Sequence, residues 1–538
     1  MKSSSQSRLF LAGALALVAA GHAVAQSAFT AGDLLVSGSI YQGTASTVIV
    51  GQPLPGASGG LAIANGTYPN VFSNDSVDAS FGVTSPIIIN EITTTGSTVQ
   101  SLNITQMAAN EGVNLVTSFP SKSEIALNVS ADGTAVTFMD YIAPVNTLDV
   151  SNSNTPNHVD PTNPVAQTYQ RSVAQLNFNG TLTISPNNTY TGNNGRAAVL
   201  DNGNYYMVGN GGNGSGTEPV NVVNNTGVQM IAQGATGEAT VVGLQQGTPG
   251  SSTGFEYGFS VAQSGVGLTA DKSGKDDNFR GLTLFNNTLY VSKGSGGNGI
   301  DTVYQVNPSG GGYVNGALGV PTAANAAATT INVLPGFNLT SAKTAVSPTN
   351  PASNPFGLWF ANANTLYVAD EGDGIAADLT NGNDPNSGLQ KWIFSNGTWK
   401  LAYTLQTGLS LGVAYTVNGY TGPAPANDGL RNITGKVNGD GTVTIYGIAS
   451  TVSTLADQGA DPNGLYDITD TLADSTSTQA LGEAFSLLEA AQNGQVLRGV
   501  SFVPQASAIP EPSTYAGIFG LMVLGGAGWI RRRNGRRA

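Results

Sequence analysis

The chain has 538 residues, enough for one large hydrophobic core or two to three ordinary ones. It has no cysteine, which excludes disulfide bonds and thiolate metal centres, and only two histidines, which excludes multi-histidine metal centres. Between Gln26 and Pro510 it carries 13 Lys and Arg against 32 Asp and Glu, a formal charge of −19, so this surface should repel nucleic acid and attract cations.

The N-terminus has the pattern of a secretory signal peptide. Lys2 and Arg8 precede an apolar run over 9–20, and small residues at 23–25 fit a cleavage site. A core helix or an uncleaved anchor is the alternative. The pattern predicts an exported protein made of a signal peptide, an exported body and a C-terminal tail, over 1–25, 26–509 and 510–538.

The body consists of short β-type runs separated by Asn-Gly, Asp-Gly and Gly-Gly turn signals. A unit of strand, tight turn and strand recurs at intervals of about 70 to 85 residues. This exceeds an ordinary propeller blade of about 40–50 residues, so we expect long loops. The copies span 123–140, 196–212, 280–297, 355–374 and 430–447.

A sixth copy, 498–504, stops after its first strand, whereas 33–43 looks like a second strand with no first strand before it. Residues 87–92 and 99–104 would complete that blade. Pairing the two ends of a chain is how a propeller removes its edge strands. We therefore predict an all-β fold, a single propeller of six blades with seven as the alternative. A string of β-sandwiches or a β-solenoid is the competing architecture.

One segment of the body has helical periodicity. Leu481, Phe485 and Leu488 fall on one face over Ala480–Ala491, which predicts an amphipathic helix. Further strands are expected over 302–306, 390–394 and 399–405. The stretch LYVADEGDG, 366–374, resembles the second-strand motif of NHL-type and related bacterial propellers, and the resemblance covers about ten residues of each blade.

Two acidic loop clusters are candidate calcium sites, because carboxylates on glycine-rich loops are ligands that calcium prefers. No segment has the EF-hand spacing, and solvated acidic loops are the alternative interpretation. The candidate ligands are Asp370, Glu371, Asp373, Asp457 and Asp461.

Four arginines stand at the start of repeats, namely Arg196, Arg280, Arg431 and Arg498. The first strands of a propeller line its central channel, so these arginines would lie near one mouth and bind anionic sugars or carboxylates. Alternatively, each arginine forms a structural ion pair with an Asp of the adjacent blade.

The tail combines three elements. Pro510, Glu511 and Pro512 are followed by 18 uncharged residues, 513–530, about 27 Å as a helix, which is just enough to cross a hydrocarbon core of about 30 Å. We therefore predict a transmembrane helix there. Cations beyond it would hold the C-terminus in the cytoplasm and the body outside the inner membrane. These cations are Arg531, Arg532, Arg533, Arg536 and Arg537.

This order of elements resembles the PEP-CTERM sorting signal of exopolysaccharide-producing Gram-negative bacteria. The resemblance implies a transient partner, an exosortase, which is a membrane cysteine transpeptidase thought to process the protein near the motif. It also implies a route from the inner membrane to the cell surface or the extracellular matrix. A plain C-terminal anchor is the alternative.

These features predict a non-enzymatic surface protein whose propeller binds polysaccharide, such as exopolysaccharide, or a protein. No nucleophile-elbow, zinc-protease or P-loop motif occurs. The alternative is a calcium-dependent propeller hydrolase of lactonase or phosphoesterase type. Calcium is the one candidate cofactor, and no nucleic-acid partner is expected.

Overall fold

A computed structural model describes residues 28–506, apart from 56–59, 72–81, 164, 213–218, 244–254, 257–258, 261–274, 345, 348–349 and 454–457. Most of its regular structure is β-strand. The first strands are β1 (Leu34–Ile40), β2 (Thr84–Ser85), β3 (Ile87–Ile92), β4 (Thr98–Asn103), β5 (Leu115–Ser118), β6 (Asn128–Val129), β7 (Ala135–Ile142), β8 (Arg171–Asn177), β9 (Leu182–Asn187), β10 (Gly195–Asp201), β11 (Asn204–Gly209), β12 (Gly227–Ala232), β13 (Thr240–Val242) and β14 (Phe255–Glu256). The others are β15 (Phe259–Ser260), β16 (Leu282–Phe285), β17 (Thr288–Lys293), β18 (Thr302–Asn307), β19 (Thr330–Val333), β20 (Pro355–Asn362), β21 (Thr365–Asp370), β22 (Gly388–Ser395), β23 (Thr398–Leu405), β24 (Ala426–Val437), β25 (Thr442–Val452), β26 (Gly464–Thr471), β27 (Ser486–Ala490) and β28 (Gln495–Phe502).

Short helices join some of these strands: α1 (Ile104–Asn110), α2 (Val220–Val223) and α3 (Ala376–Asn381). The side-chain oxygen of Asn103 accepts a hydrogen bond from the Gln106 backbone N–H at 2.9 Å, which caps α1. The strand predicted over 99–104 is observed as β4 and continues directly into α1, where no helix was predicted.

Within the described residues, the strands form six sheets of four or more strands, the blades of a β-propeller. The blades, in order around the ring, are β28-β1-β3-β4, β2-β5-β7-β8-β9 with β6 also on β7, β10-β11-β12-β13, β16-β17-β18-β19, β20-β21-β22-β23 and β24-β25-β26-β27. All the strand pairs are antiparallel. We number them blades one to six.

The innermost strands form a closed ring around the channel. Each contacts the next in the order β6, β10, β16, β20, β24 and β28, and β28 contacts β6. The cycle contains six strands, so the predicted propeller has six blades. Buried apolar side chains fill the spaces between neighbouring blades: Tyr206 of blade three and Tyr304 of blade four share one cluster, and Tyr367 of blade five and Ile445 of blade six share another.

Blade one joins the two ends of the described chain, as the truncated sixth repeat predicted. Strand β1 pairs with β28 on one side, with Leu34 opposite Phe502, and with β3 on the other. The Gly499 backbone N–H also donates to Ser37 Oγ at 2.8 Å across this seam. The strands predicted over 302–306, 390–394 and 399–405 are observed as β18, β22 and β23.

Two of the predicted hairpin turns have the backbone that their residues favour. Asn202 and Gly203 have φ of 46° and 74° between β10 and β11, and Asn286 and Asn287 have φ of 47° and 54° between β16 and β17. A two-residue type I′ turn requires positive φ at both positions, which Asn and Gly tolerate best. These dipeptides fix the registers of their hairpins.

The glycine that follows arginine in two repeats has a packing role. A Cβ at Gly281 would collide with the carbonyl oxygen of Phe356 on blade five, and a Cβ at Gly499 would lie 2.6 Å from the carbonyl oxygen of Ile125 on blade two. Adjacent inner strands approach each other closely at these positions. The Arg-Gly dipeptide therefore places an arginine at the channel and, directly after it, the glycine that the close approach of the next blade requires.

The amphipathic helix predicted over Ala480–Ala491 is wrong. The structure has turns followed by β27, which pairs with β26, and the Leu481 side chain is 78% exposed. The open edge of β26 offers a row of backbone hydrogen-bonding groups to this segment, whereas an isolated helix of this length is marginal in water. Tertiary pairing therefore overrides the local helical period.

No helix in the described part of the chain has the length and apolar character needed to span a bilayer. The predicted signal peptide, 1–25, and the predicted sorting and transmembrane tail, 510–538, lie outside the described residues.

Candidate functional site

Cations from several blades meet at one mouth of the channel. Arg196, Arg431 and Arg498 lie on the innermost strands β10, β24 and β28, and Arg280 lies two residues before β16. The channel therefore receives one arginine from each of blades three, four, six and one. Lys122 precedes β6, the innermost strand of blade two, by six residues and lines the same cavity as Arg196 and Arg280.

Arg431 forms a structural ion pair with an acid of the neighbouring blade. Its Nε donates to Glu371 Oε2 at 3.0 Å, and both side chains are buried. Burial alone would raise the pKa of Glu371, but Arg280, Arg431 and Lys122 outweigh it and lower that pKa. Glu371, predicted as a calcium ligand, therefore faces three cations across the channel.

Arg196 has only neutral partners. Its Nη1 donates to Asn278 Oδ1 and, at 2.8 Å, to the carbonyl oxygen of Phe279, while its buried Nε has no hydrogen-bond partner among the described residues. Burial, followed by the nearby charge of Arg280, lowers the pKa of Arg196 well below its ordinary value. The cost of this charge would fall if an anion bound beside it.

Arg280 likewise has neutral partners and is partly exposed. Its Nη1 donates to Ser123 Oγ of blade two at 2.6 Å, and its Nε donates to Ser295 Oγ at 2.7 Å. No carboxylate of the described chain lies within ion-pair distance of Arg196 or Arg280. Hydroxyl groups orient Arg280, and Glu371 partly offsets its charge from beyond ion-pair distance.

Arg498 is engaged with the backbone. Its Nη2 donates to the carbonyl oxygens of Phe119 and Gly459, each at 2.6 Å, and the residue is 4% exposed. It thereby ties the closing strand to two other segments. Of the four predicted arginines, Arg431 and Arg498 hold the protein together, whereas Arg196 and Arg280 have no described carboxylate within ion-pair distance and interact with Glu371 only from farther away.

These two arginines line a cavity of about 310 Å³ at the mouth. Its volume lies at the lower end of the range usual for small-molecule sites. The cavity wall combines three cations with amides and hydroxyls and contains no carboxylate. The lining residues are Ser118, Pro120, Ser121, Lys122, Ser151, Asn152, Asn193, Asn194, Arg196, Asn210, Asn278 and Arg280.

Three of the predicted calcium ligands come together at the end of β21. Asp370 is fully buried and accepts hydrogen bonds from the backbone N–H groups of Asn354 and Gly372 and from Gln390 Nε2, between 2.9 and 3.1 Å. These bonds fix the carboxylate where the strand ends. Glu371 and Asp373 follow Asp370 closely in the chain.

Two further acids, Asp384 and Asp428, join this group, and neither was among the five predicted ligands. Asp384 Oδ2 accepts from the Asp373 N–H at 3.2 Å, and Asp428 Oδ2 accepts from the Gly374 N–H at 3.0 Å. The second oxygen of each is buried without a partner among the described residues. Burial and neighbouring acids raise the pKa of Asp384 to about 6 and that of Asp428 to about 8.

The remaining predicted ligands lie elsewhere. Asp461 is buried beside Tyr420, whose hydroxyl donates to its Oδ1 at 3.1 Å, and Asp457 falls outside the described residues. Within the described ranges, no group of three or more Asp, Glu or His side chains has a metal-holding arrangement. Asp384 and Asp428, whose free carboxylate oxygens could bind a cation, are contributed by different blades.

No protein-family model matches the chain, and no curated protein matches it. The similar solved structures include a nidogen/laminin complex, with 11% identity, coverage of 79% of this chain and 97% of that chain, and a TM-score of 0.32. They also include the parainfluenza virus 5 hemagglutinin-neuraminidase ectodomain, with 12% identity, coverage of 82% of this chain and 78% of that chain, and a TM-score of 0.30. A third is the N-terminal domain of Nup159, with 7% identity, coverage of 88% of this chain and 98% of that chain, and a TM-score of 0.27. At these TM-scores the similarities carry no argument about function, and the assignment of a propeller rests on the sheet topology.

Proposed function

We propose that the chain is an exported propeller, displayed at the cell surface or in the extracellular matrix, that binds an anionic ligand at the channel mouth. The observation that carries this proposal is the cavity lined by Lys122, Arg196 and Arg280, which contains no carboxylate. Arginines with no carboxylate within ion-pair distance in the described part of the chain favour a ligand that supplies an anion. In a body with a formal charge of −19, such a cavity departs sharply from the surrounding surface.

A carboxylate-bearing polysaccharide is the ligand class that fits best. The planar guanidinium groups of Arg196 and Arg280 suit a carboxylate, and the amides of Asn152, Asn194 and Asn210 suit the hydroxyl groups around it. Exopolysaccharide containing uronic acid has both kinds of group. The binding needs no catalytic residue, in agreement with a non-enzymatic role.

Delivery to the surface is a proposal that rests on the sequence. The signal peptide over 1–25 would export the chain, and the PEP-CTERM-like tail over 510–538 would hold it at the inner membrane until an exosortase acts on it. Deletion of 510–538 should convert a membrane-retained protein into a released or mislocalised one. Unchanged cell fractionation of the deletion variant would contradict the sorting proposal.

Ligand binding is tested by calorimetric titration of the purified protein with oligogalacturonate. The variant Lys122→Gln/Arg280→Gln removes two cationic contacts and should weaken binding by at least about tenfold, since each charge-assisted hydrogen bond contributes about 1.5–3 kcal/mol. Lys122→Gln alone checks that any effect is not a folding defect caused by losing the Arg280 contacts. The control is Lys400→Gln, because Lys400 is an exposed cation on the outer strand β23.

Two results would refute the proposed site. The first is that the protein does not bind oligogalacturonate at low ionic strength. The second is that Lys400→Gln weakens binding as much as the double variant does. A general electrostatic attraction predicts the second result, because it does not distinguish where a charge is removed.

The alternative is the calcium-dependent hydrolase. The buried, unpartnered oxygens of Asp384 and Asp428 favour cation binding there, because carboxylates with raised pKa values become good ligands when a cation offsets their repulsion. Chelation with EDTA should then lower the melting temperature and abolish esterase activity. If neither changes, the alternative fails.

A further inference from the structure

A second cavity lies on blade six, away from the channel mouth. It has a volume of about 510 Å³ and lies between the segment 410–418 and the outer strands β26 and β27. We call it the blade-six groove. None of its lining residues belongs to the cationic cavity.

The segment over the groove is fixed by backbone pairing with the start of β24. The Gly412 N–H donates to the carbonyl oxygen of Asn427 at 2.9 Å, and the Tyr415 N–H donates to that of Pro425 at 2.8 Å. The Tyr415 hydroxyl also donates to the carbonyl oxygen of Pro462 at 2.7 Å. The wall of the groove is therefore ordered before any ligand arrives, which reduces the entropy cost of binding.

The groove is uncharged throughout. Its lining residues include no Asp, Glu, Lys or Arg, although the body carries 32 acids. Tyr415, Tyr466, Val413 and Leu487 supply aromatic and apolar surface, and the last two are 59% and 54% exposed. A charged ligand would gain no ion pair here and would have to give up part of its hydration.

The inner end of the groove presents an unpaired acceptor next to a donor. Asn427 is 3% exposed, and its Nδ2 donates to the carbonyl oxygen of Leu409 at 2.7 Å and to the Tyr466 hydroxyl at 2.8 Å. Its Oδ1 is buried without a partner among the described residues. The Tyr466 hydroxyl accepts this hydrogen bond from the Asn427 amide, and its own O–H remains able to donate.

This pairing matches a hydroxyl group, which donates and accepts at once. A ligand hydroxyl would donate to Asn427 Oδ1 and accept from the Tyr466 O–H, which satisfies an acceptor whose isolation costs about 1–3 kcal/mol. The C–H faces of a sugar ring would pack against the tyrosine and aliphatic side chains. Further hydroxyls would reach Asn418 and Gln492 at the groove edge.

We propose that the blade-six groove binds a neutral oligosaccharide, with Asn427 and Tyr466 holding one sugar hydroxyl at its inner end. This site is independent of the anionic ligand at the channel mouth. A polysaccharide with both acidic and neutral sugars would engage the two sites through different units.

The test measures binding of the purified full-length protein to neutral hexasaccharides of glucose, mannose, galactose and xylose. At least one should bind, and Tyr466→Phe, which removes the hydroxyl that would donate to the sugar and that accepts from Asn427 Nδ2, should weaken binding about tenfold. Leu487→Ser should weaken it to a similar degree by removing apolar surface from an exposed strand position. The matched control is Leu481→Ser, since Leu481 is 78% exposed and does not line the groove.

Melting temperatures of the variants separate lost binding from lost folding. The proposal is overturned if no neutral hexasaccharide binds at millimolar concentration, or if Leu481→Ser weakens binding as much as Leu487→Ser. Binding of an uncharged apolar peptide that competes with the sugar equally in wild type and Tyr466→Phe would also overturn it. Lys122→Gln/Arg280→Gln should leave neutral binding unchanged, so failure at the channel mouth and failure at the groove give different results.

Discussion

Replacing Asp428 by asparagine should stabilise the protein, and by more at pH 7.5 than at pH 5.0. Burial, followed by Asp373, Glu371 and Asp384, raises the pKa of Asp428 to about 8 against the Gly374 hydrogen bond. An acid with a raised pKa keeps a proton in the folded state that the unfolded chain releases. The folded state therefore binds more protons, and the free energy of unfolding falls as pH rises from the ordinary Asp pKa towards 8.

The size of the effect follows from this difference in pKa. With an unfolded value of 3.8 and a folded value of about 8, the contribution of Asp428 to the unfolding free energy falls by about 3 kcal/mol between pH 5.0 and 7.5. The amide introduced by Asp428→Asn does not titrate and could still accept a hydrogen bond from the Gly374 N–H. Urea unfolding of wild type and Asp428→Asn at both pH values measures the difference directly.

The control is Asp440→Asn. Asp440 is exposed at the β24–β25 turn, and hydrogen bonds from the Thr442 hydroxyl and N–H lower its pKa, so its substitution should give no gain that grows with pH. The reasoning fails if Asp428→Asn destabilises equally at pH 5.0 and 7.5. Calcium provides a further comparison: millimolar calcium that stabilises wild type at pH 7.5 but not Asp428→Asn would support the hydrolase alternative.

Two further changes test the packing of the blades, again by urea unfolding. Lys391→Met should destabilise the protein by about 3–5 kcal/mol, because it leaves the fully buried Asp470 without the ammonium group 2.8 Å away. The double variant Lys391→Met/Asp470→Leu should recover much of this loss. Equal losses in both variants would contradict a charge-based cause. Gly281→Ala should destabilise the protein strongly, since the added Cβ meets the carbonyl oxygen of Phe356. The control Gly297→Ala should be tolerated, because there is open space around that position. Similar stabilities of the two variants would show that blades four and five can separate at no cost.

Ring closure was predictable because it depends on local sequence. The truncated repeat at 498–504 and the unpaired strand at 33–43 each have a recognisable β pattern, and a ring without edges requires that they meet. The Asn202-Gly203 turn was predictable for a similar reason, because positive φ at two successive residues restricts the residue types. Each signal lies within a few residues of the element that it specifies.

The candidate sites were predictable only in part. Arg196 and Arg280 repeat at equivalent positions, so the sequence indicated both, whereas their neutral partners Asn278 and Ser123 depend on the approach of different blades. Lys122 stands one residue before its repeat, 123–140, whereas the arginines lie within theirs, so no repeat signal indicated it.

Asp428 and the blade-six groove have no comparable sequence signal. Asp428 lies near Asp384 only because blades five and six are adjacent, and its pKa rises mainly through burial, to which Asp373, Glu371 and Asp384 add. The groove depends on how 410–418 folds over β26 and β27, where the predicted helix proved to be a strand. Local periodicity contains no information about such pairings.

The seam in blade one also imposes an order of events on folding. The residues joined by the Gly499–Ser37 hydrogen bond are 462 positions apart in the chain. During synthesis, β1 therefore has β3 beside it, but nearly the whole body must be made before its other edge is covered. Contacts between such distant residues form late, because the intervening chain must be ordered first. Until β28 is synthesised, five blades stand as an open arc with unpaired strand edges, so β28 completes the fold and ends the period of greatest aggregation risk.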